Sequence, residues 1–236
     1  MIEIKNLNAG YRKLHVLFDI AMDFKPNKIN VVVGPNGSGK STLLKSIFGL
    51  TTIYSGSITF DGKELVGRTP YEIARFGIAY LPQVENIFAN LTVEENLLMA
   101  GYVIKKEELN QRVEETVEIF PVIKKYWKKK AGLLSGGERQ MVAMAMALVR
   151  KPRVMLFDEP TGGLSPKIAE EVLSKILELR DSLNMTIILV EQNAKRALEI
   201  GDRAYLLVSG KLVFQGECQE LLQHPQLSTL YLGISN

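Results

Sequence analysis

Apolar residues fall along this chain in two rhythms. The stretches Ile29–Val33, Val154–Phe157 and Thr186–Val190 are short and almost wholly apolar. Runs of that length suit strands buried on both faces of a parallel sheet. Elsewhere the apolar positions recur every three or four residues. Leu109, Val113, Val117 and Phe120 share one face of a helix predicted over 105–120. Local start signals predict further helices. Thr69-Pro70 places a cap residue before a proline at the first helical position. Thr92-Val93-Glu94-Glu95 forms a capping box for a helix through about Met99, and Ser165-Pro166 caps one running to about Leu183. Residues 1–25 read as strands around a turn at Gly10, and 203–216 as a hairpin around Ser209-Gly210. Residues 84–150 are mostly helical and interrupt an otherwise alternating α/β pattern. Repeats, low-complexity tracts and linkers are absent from the sequence.

Two motifs carry the chemistry. Gly34-Pro35-Asn36-Gly37-Ser38-Gly39-Lys40-Ser41-Thr42 sits between the apolar run ending at Val33 and the helix-like Leu43–Phe48. This is the strand, glycine loop and helix of a P-loop (Walker A). Its glycines let successive N–H groups turn towards phosphate oxygens, and the helix adds its positive end. Lys40 supplies a cation for the outer phosphates, and Ser41 a hydroxyl for Mg2+. The second motif is Leu134-Ser135-Gly136-Gly137-Glu138. Ser135 and Glu138 form a capping box for the helix holding Met141–Leu148. Glycine at the first two helical positions costs stability, which suggests that something approaches the backbone closely there.

With both motifs in this order, the chain resembles the ATP-binding cassette (ABC) ATPases over essentially its whole length. The resemblance implies an α/β fold: a P-loop (RecA-like) core with an N-terminal antiparallel β subdomain and an inserted helical lobe. The core would span 1–83 and 151–217, the lobe 84–150 and a tail 218–236. It further implies that Ser135, Gly136 and Gly137 of one subunit close in trans over the ATP held by the P-loop of another, so that a dimer has two composite sites. Val154–Glu159 is an apolar run ending in two acids, which would reach the crevice at the strand ends. By resemblance, Asp158 organises Mg2+ and Glu159 positions and polarises the attacking water. Gln83 matches a glutamine that contacts Mg2+ and links the site to a membrane partner. Tyr11 matches an aromatic that lies against adenine.

Two positions depart from the common family pattern. Gln192 ends the strand Thr186–Glu191 where most family members carry histidine, and Ser165 stands where aspartate is usual. Both departures are similar to the ATP-binding subunits of branched-chain amino acid and urea importers, as are Val190–Ala194, Gly163–Pro166 and Leu230–Gly233. The resemblance thus implies integral membrane permease subunits as partners, with a substrate-binding protein involved only indirectly. It also implies either self-association or a heterodimer with a paralogous ATPase. The position would be peripheral, at the cytoplasmic face of the cell membrane. Exposed apolar residues around 83–104, such as Ile87, Phe88 and Leu91, would receive a helix from the membrane partner. Gln192 stays neutral and cannot shuttle a proton, so it is expected to orient the γ-phosphate while Glu159 acts as base.

Composition narrows the alternatives. The 236 residues are 46% hydrophobic and 23% charged, ordinary for a globular chain. A net charge of +3 gives no reason to expect nucleic acid as a partner. The single cysteine, Cys218, forms no internal disulfide. The N-terminal residues show no signal-peptide pattern. The longest apolar stretch, Met141–Val149, is nine residues, against the roughly 20 that a spanning helix needs. The run Lys124–Lys130 reads as a solvated lysine face with a packed Trp127. Met141, Met144 and Met146 read as helix packing, and His15 and His224 as ordinary surface residues. Three further readings remain. A nucleic-acid- or ribosome-moving ABC ATPase would carry long coiled coils or two cassettes, and this chain has neither. A nucleotide gate without turnover is prompted by Gln192, but Glu159 is retained. An exporter subunit, including a lipid exporter, would share the same fold.

Overall fold

The computed structural model describes residues 1–84, 86–224 and 226; the Leu230–Gly233 segment and most of the tail beyond 224 lie outside them. In chain order the elements are β1 (Ile2–Tyr11), β2 (Leu14–Asp23), β3 (Ile29–Val33), α1 (Lys40–Ile47), β4 (Thr52–Phe60), β5 (Lys63–Glu64), α2 (Pro70–Arg75) and β6 (Ile78–Leu81). Then follow α3 (Val93–Ala100), α4 (Lys106–Ile119), α5 (Gly136–Leu148), β7 (Val154–Asp158), α6 (Pro166–Leu183), β8 (Thr186–Val190), α7 (Ala194–Ile200), β9 (Arg203–Val208), β10 (Lys211–Glu217) and α8 (Cys218–Leu222). Short 3-10 segments at Pro121–Tyr126 and Ala131–Leu133 join α4 to α5.

The apolar runs form the middle of a six-stranded sheet in the order β10-β9-β3-β8-β7-β6. Strands β9, β3, β8, β7 and β6 are mutually parallel, and β10 closes the edge as the antiparallel arm of a hairpin. Successive side chains of a strand point to opposite faces, and here each face has its own core. Val31, Val33, Met155, Phe157, Ile187 and Leu189 pack with the helices α4, α5 and α6. Val32, Val154, Leu156, Ile188 and Val190 pack with α1 and the β subdomain. Polar alternation is therefore missing from these strands because neither face meets water. The hairpin turn at Ser209-Gly210 has positive φ at both residues, 49° and 76°, as a two-residue turn matching the strand twist requires.

The second sheet is antiparallel, in the order β2-β1-β4-β5. Its buried side, including Ile4, Leu17, Ile20 and Ile58, covers Leu43, Leu44 and Ile47 of α1. The expected turn at Gly10 is displaced. Gly10 pairs with both His15 and Thr52 inside β1, and the turn falls at Arg12-Lys13, with Arg12 at φ 53°. Gly10 marks a close approach instead: a Cβ there would lie 2.0 Å from the Leu14 carbonyl oxygen.

The helical segment carries its caps where the sequence signals them. Thr69, Thr92 and Ser135 each complete a capping box with Glu72, Glu95 and Glu138. Ser165 precedes α6 with extended backbone, but its side chain makes no capping bond, so Pro166 carries that helix start. Buried Asn96 organises the loop before α3. Its amide accepts from the Phe88 N–H (2.7 Å) and donates to the carbonyls of Phe88 (3.0 Å) and Thr92 (2.8 Å). Of the three apolar residues expected to be exposed there, Phe88 is 51% exposed, while Ile87 packs on the lobe core and Leu91 is half-buried. In the lysine run, Trp127 packs on the same core, Lys128 pairs with Glu94, and Lys129 sits over the Tyr126 ring at 5.5 Å. Met144 is buried, with Met141 and Met146 packed beside it.

Candidate functional site

Strand β3 runs straight into the loop 34–39, which hands over to α1 at the C-terminal edge of the parallel sheet. A ligand crevice belongs at that edge in open α/β sheets. Gly34 has φ 149°, and a Cβ there would lie 2.0 Å from the Leu207 carbonyl oxygen. Gly37 has φ 76° with open space around it, so its requirement is conformational. The Ser38 hydroxyl is buried and has no hydrogen-bond partner among the described residues. A buried unpaired hydroxyl is costly, and here it lies in a loop whose geometry suits phosphate. Lys40 folds back over the loop, donating to the carbonyls of Gly34 (2.8 Å) and Pro35 (3.1 Å). Burial lowers its pKa from the ordinary lysine value, and the charges of Glu159 and Asp158 oppose that shift.

The two acids at the end of β7 have different surroundings. Asp158 is 4% exposed and receives two hydroxyl donors. Ser41 Oγ donates to its Oδ1 at 2.7 Å, and Tyr80 Oη to its Oδ2 at 3.0 Å. A carboxylate and a serine hydroxyl in contact form an all-oxygen donor set, which fits Mg2+ with phosphate oxygens and water completing the shell. Glu159 follows in the left-handed region, at φ 49°, where a non-glycine residue carries strain. Its N–H donates to the Val190 carbonyl at 2.9 Å, and its Oε2 accepts from Gln83 Nε2 at 2.9 Å. Gln83 is thus tied to Glu159 rather than turned towards Asp158.

On the neighbouring strand, Glu191 directly follows the end of β8 and is 2% exposed. Its Oε1 accepts from the Thr161 N–H at 3.0 Å and its Oε2 from the Gln192 N–H at 3.2 Å. Burial raises its pKa, and the Thr161 and Gln192 hydrogen bonds pull it back down. Gln192 itself is exposed beside the cap of α7. Tyr11, at the end of β1, is 38% exposed. Val16 of β2 was not signalled by the sequence. A Cβ built on Gly39 would lie 3.5 Å from Val16 Cγ1, so Val16 walls the loop on the β-subdomain side. The sequence assigns no role to Tyr80 or to Glu191, although Glu191 lies within Val190–Ala194, because the partners of both are distant in the chain.

Residues 135–137 start α5. A Cβ at Gly136 would lie 2.6 Å from Leu164 Cδ2, and one at Gly137 2.3 Å from Ile168 Cγ2. The close approach inferred from these glycines thus has a partner within the same chain, the start of α6 and the loop before it. Among the described residues no hydrogen bond joins 135–137 to the P-loop.

A P-loop on a parallel sheet, an acidic strand end beside it and a capped Leu-Ser-Gly-Gly-Glu helix start define an ATP-binding cassette. The ABC transporter family model matches residues 17–162, and the chain belongs to that family. It is similar to the probable branched-chain amino acid transport ATP-binding protein LivF of Archaeoglobus fulgidus, with 56% identity covering 99% of each chain. It is 40% identical to the high-affinity branched-chain amino acid transport ATP-binding protein BraG of Pseudomonas aeruginosa, covering 99% of this chain and 100% of that one. The dimeric post-hydrolysis structure of the cassette MJ0796 bound to ADP and Pi superposes with a TM-score of 0.81 at 26% identity, covering 92% of this chain and 99% of that one. Within the family, then, this chain is the ATP-binding, ATP-hydrolysing subunit of a transporter. Among the described residues no helix is long and apolar enough to cross a membrane.

Proposed function

We propose that this subunit hydrolyses Mg·ATP at composite sites shared by two cassettes, and that the cycle drives import of branched-chain amino acids through integral membrane permease subunits. The observation that carries the site assignment is Asp158, buried at a strand end with Ser41 on one oxygen, next to Glu159. The importer class rests on 56% identity along the whole chain to the LivF relative.

The P-loop N–H groups, Lys40 and Thr42 surround the phosphates, with Tyr11 and Val16 against the adenine side. Ser41 and Asp158 hold the metal, with Gln83 close by through Glu159. Held there by Ser41 and Asp158, Mg2+ would supply positive charge against the charge that develops on the phosphates. Glu159 accepts a proton from a water as its oxygen attacks the γ-phosphorus in line. The bond from that phosphorus to the bridging oxygen breaks, giving ADP and phosphate. Gln192 donates to the γ-phosphate from the opposite side. Ser135, Gly136 and Gly137 of a second subunit cover the nucleotide; the dimeric state of the similar MJ0796 cassette bound to ADP and Pi supports the pairing of two subunits. That second subunit is a further copy of this chain or a paralogous ATPase. The core lies at 1–83 and 151–217, the lobe at 84–150 and the tail at 218–236.

The membrane partner docks from the cytoplasmic face, at the groove that Gln83, Phe88 and Leu91 line with α5 residues; a substrate-binding protein acts only through that partner. The decisive variant is Glu159→Gln, whose amide cannot act as base. It is expected to bind ATP, hydrolyse it slowly and accumulate as a dimer in light scattering with Mg·ATP. Wild-type turnover in this variant removes the base assignment. A strictly monomeric variant at high concentration points to the heterodimer.

A further inference from the structure

We propose that Tyr80 is a positioning residue for the metal site, its hydroxyl fixing the orientation in which Asp158 meets Mg2+; this rests on the assignment of Asp158 above. A carboxylate at the end of a short side chain turns freely about its last torsion, whose preference is broad. One hydrogen bond leaves it a pivot, and two from different directions fix its plane. Asp158 has two, from Ser41 at 2.7 Å and from Tyr80 at 3.0 Å. The Ser41 hydroxyl has a single proton and two lone pairs, so it can keep donating to Asp158 while a lone pair faces a cation. The oxygen held by Tyr80 decides which way the rest of the carboxylate points.

The donor is itself placed by the sheet. Tyr80 lies in β6, paired with Leu156 of β7 two residues before Asp158, so the sheet sets its reach across to the neighbouring strand. Its ring stands 5.5 Å from the Phe48 ring at the end of α1. A hydroxyl that the sheet sets at hydrogen-bond distance from Asp158 is suited to orienting its carboxylate. The same short segment serves both acids, since Gln83, three residues after Tyr80, donates to Glu159.

The test is Tyr80→Phe, which keeps the ring and removes only the oxygen, beside Asp158→Asn. Binding of Mn2+ to the subunit with ATP is followed by electron paramagnetic resonance. Affinity for a fluorescent ATP analogue is measured separately in EDTA. Loss of a partner to a metal-organising group typically weakens metal affinity 10- to 100-fold. Tyr80→Phe is therefore expected to weaken Mn2+ binding about 10-fold, with metal-free nucleotide affinity unchanged and turnover recovered at saturating Mg2+. Unchanged Mn2+ affinity in Tyr80→Phe, with a loss in Asp158→Asn, overturns the role of Tyr80 alone. Equal losses with and without metal in Tyr80→Phe reduce Tyr80 to a packing residue and also overturn it. Unchanged Mn2+ affinity in Asp158→Asn overturns the underlying assignment of Asp158.

Discussion

Lys40→Ala separates the two tasks that the lysine performs. Without nucleotide the ammonium holds the loop's own carbonyls, at 2.8 Å to Gly34 and 3.1 Å to Pro35. When phosphate arrives, those neutral acceptors are exchanged for an anion. The binding contribution is therefore the difference between charged–charged and charged–neutral contacts, not the full strength of an ammonium–phosphate pair. A hydrogen bond to a charged group is worth about 1.5–3 kcal/mol, and a pair with both partners charged is stronger. Exchanging one or two gives a net of about 2–4 kcal/mol, or roughly a 30- to 1000-fold loss of ATP affinity. The assay is equilibrium titration with a fluorescent ATP analogue, with ADP and AMP in parallel. The loss is expected to be large for ATP, smaller for ADP and smallest for AMP, because the ammonium serves the outer phosphates. The sign with pH follows from burial, which lowers the Lys40 pKa. In the free protein the charged form is lost, as pH rises, earlier than for an ordinary lysine, so wild-type ATP affinity is expected to begin falling at a lower pH than an ordinary lysine would give. Unchanged ATP affinity in Lys40→Ala, or an equal loss for AMP, refutes the reasoning.

Two further outcomes follow from the β8 end. Gln192→Ala is expected to slow turnover roughly 10- to 1000-fold, the scale of losing one oriented transition-state donor, with ATP affinity little changed; wild-type turnover makes Gln192 a spectator. Glu191 straps two loops together through the Thr161 and Gln192 N–H groups, and its amide replacement turns one acceptor into a donor facing an N–H. Glu191→Gln is accordingly expected to slow steady-state turnover about 10-fold at constant ADP affinity, a loss of roughly 1.4 kcal/mol, within the cost of an unsatisfied buried group. In the wild type the raised pKa of Glu191 means that its charged form, and with it activity, is lost on acidification sooner than an ordinary carboxylate allows. A pH–rate profile identical in Glu191→Gln and wild type removes Glu191 from that acid limb.

What the sequence determined by itself was local. The phosphate loop is contiguous, so its glycines, lysine and serine are read directly, and the capping boxes at Thr69, Thr92 and Ser135 close within three residues. The buried strands were legible because burial on both faces removes polar alternation, whichever neighbours provide the burial. Tertiary structure alone decided which strands stand side by side. Setting β7 one place from β8, and β8 beside β3, brings Asp158 to Ser41 across 117 residues and Glu191 to Thr161 across 30. The one displaced turn has the same origin. Gly10 reads as a turn but is small because the Leu14 backbone passes close by, and the close approach that Gly136 and Gly137 signal comes from Leu164 and Ile168 of the same chain. Glycine states a need for space, and only the packed structure says what fills it. Tyr80 and Glu191 had no assigned role for the converse reason: a tyrosine in a strand, or a glutamate just past one, acquires its meaning when the fold brings up partners that are distant in sequence.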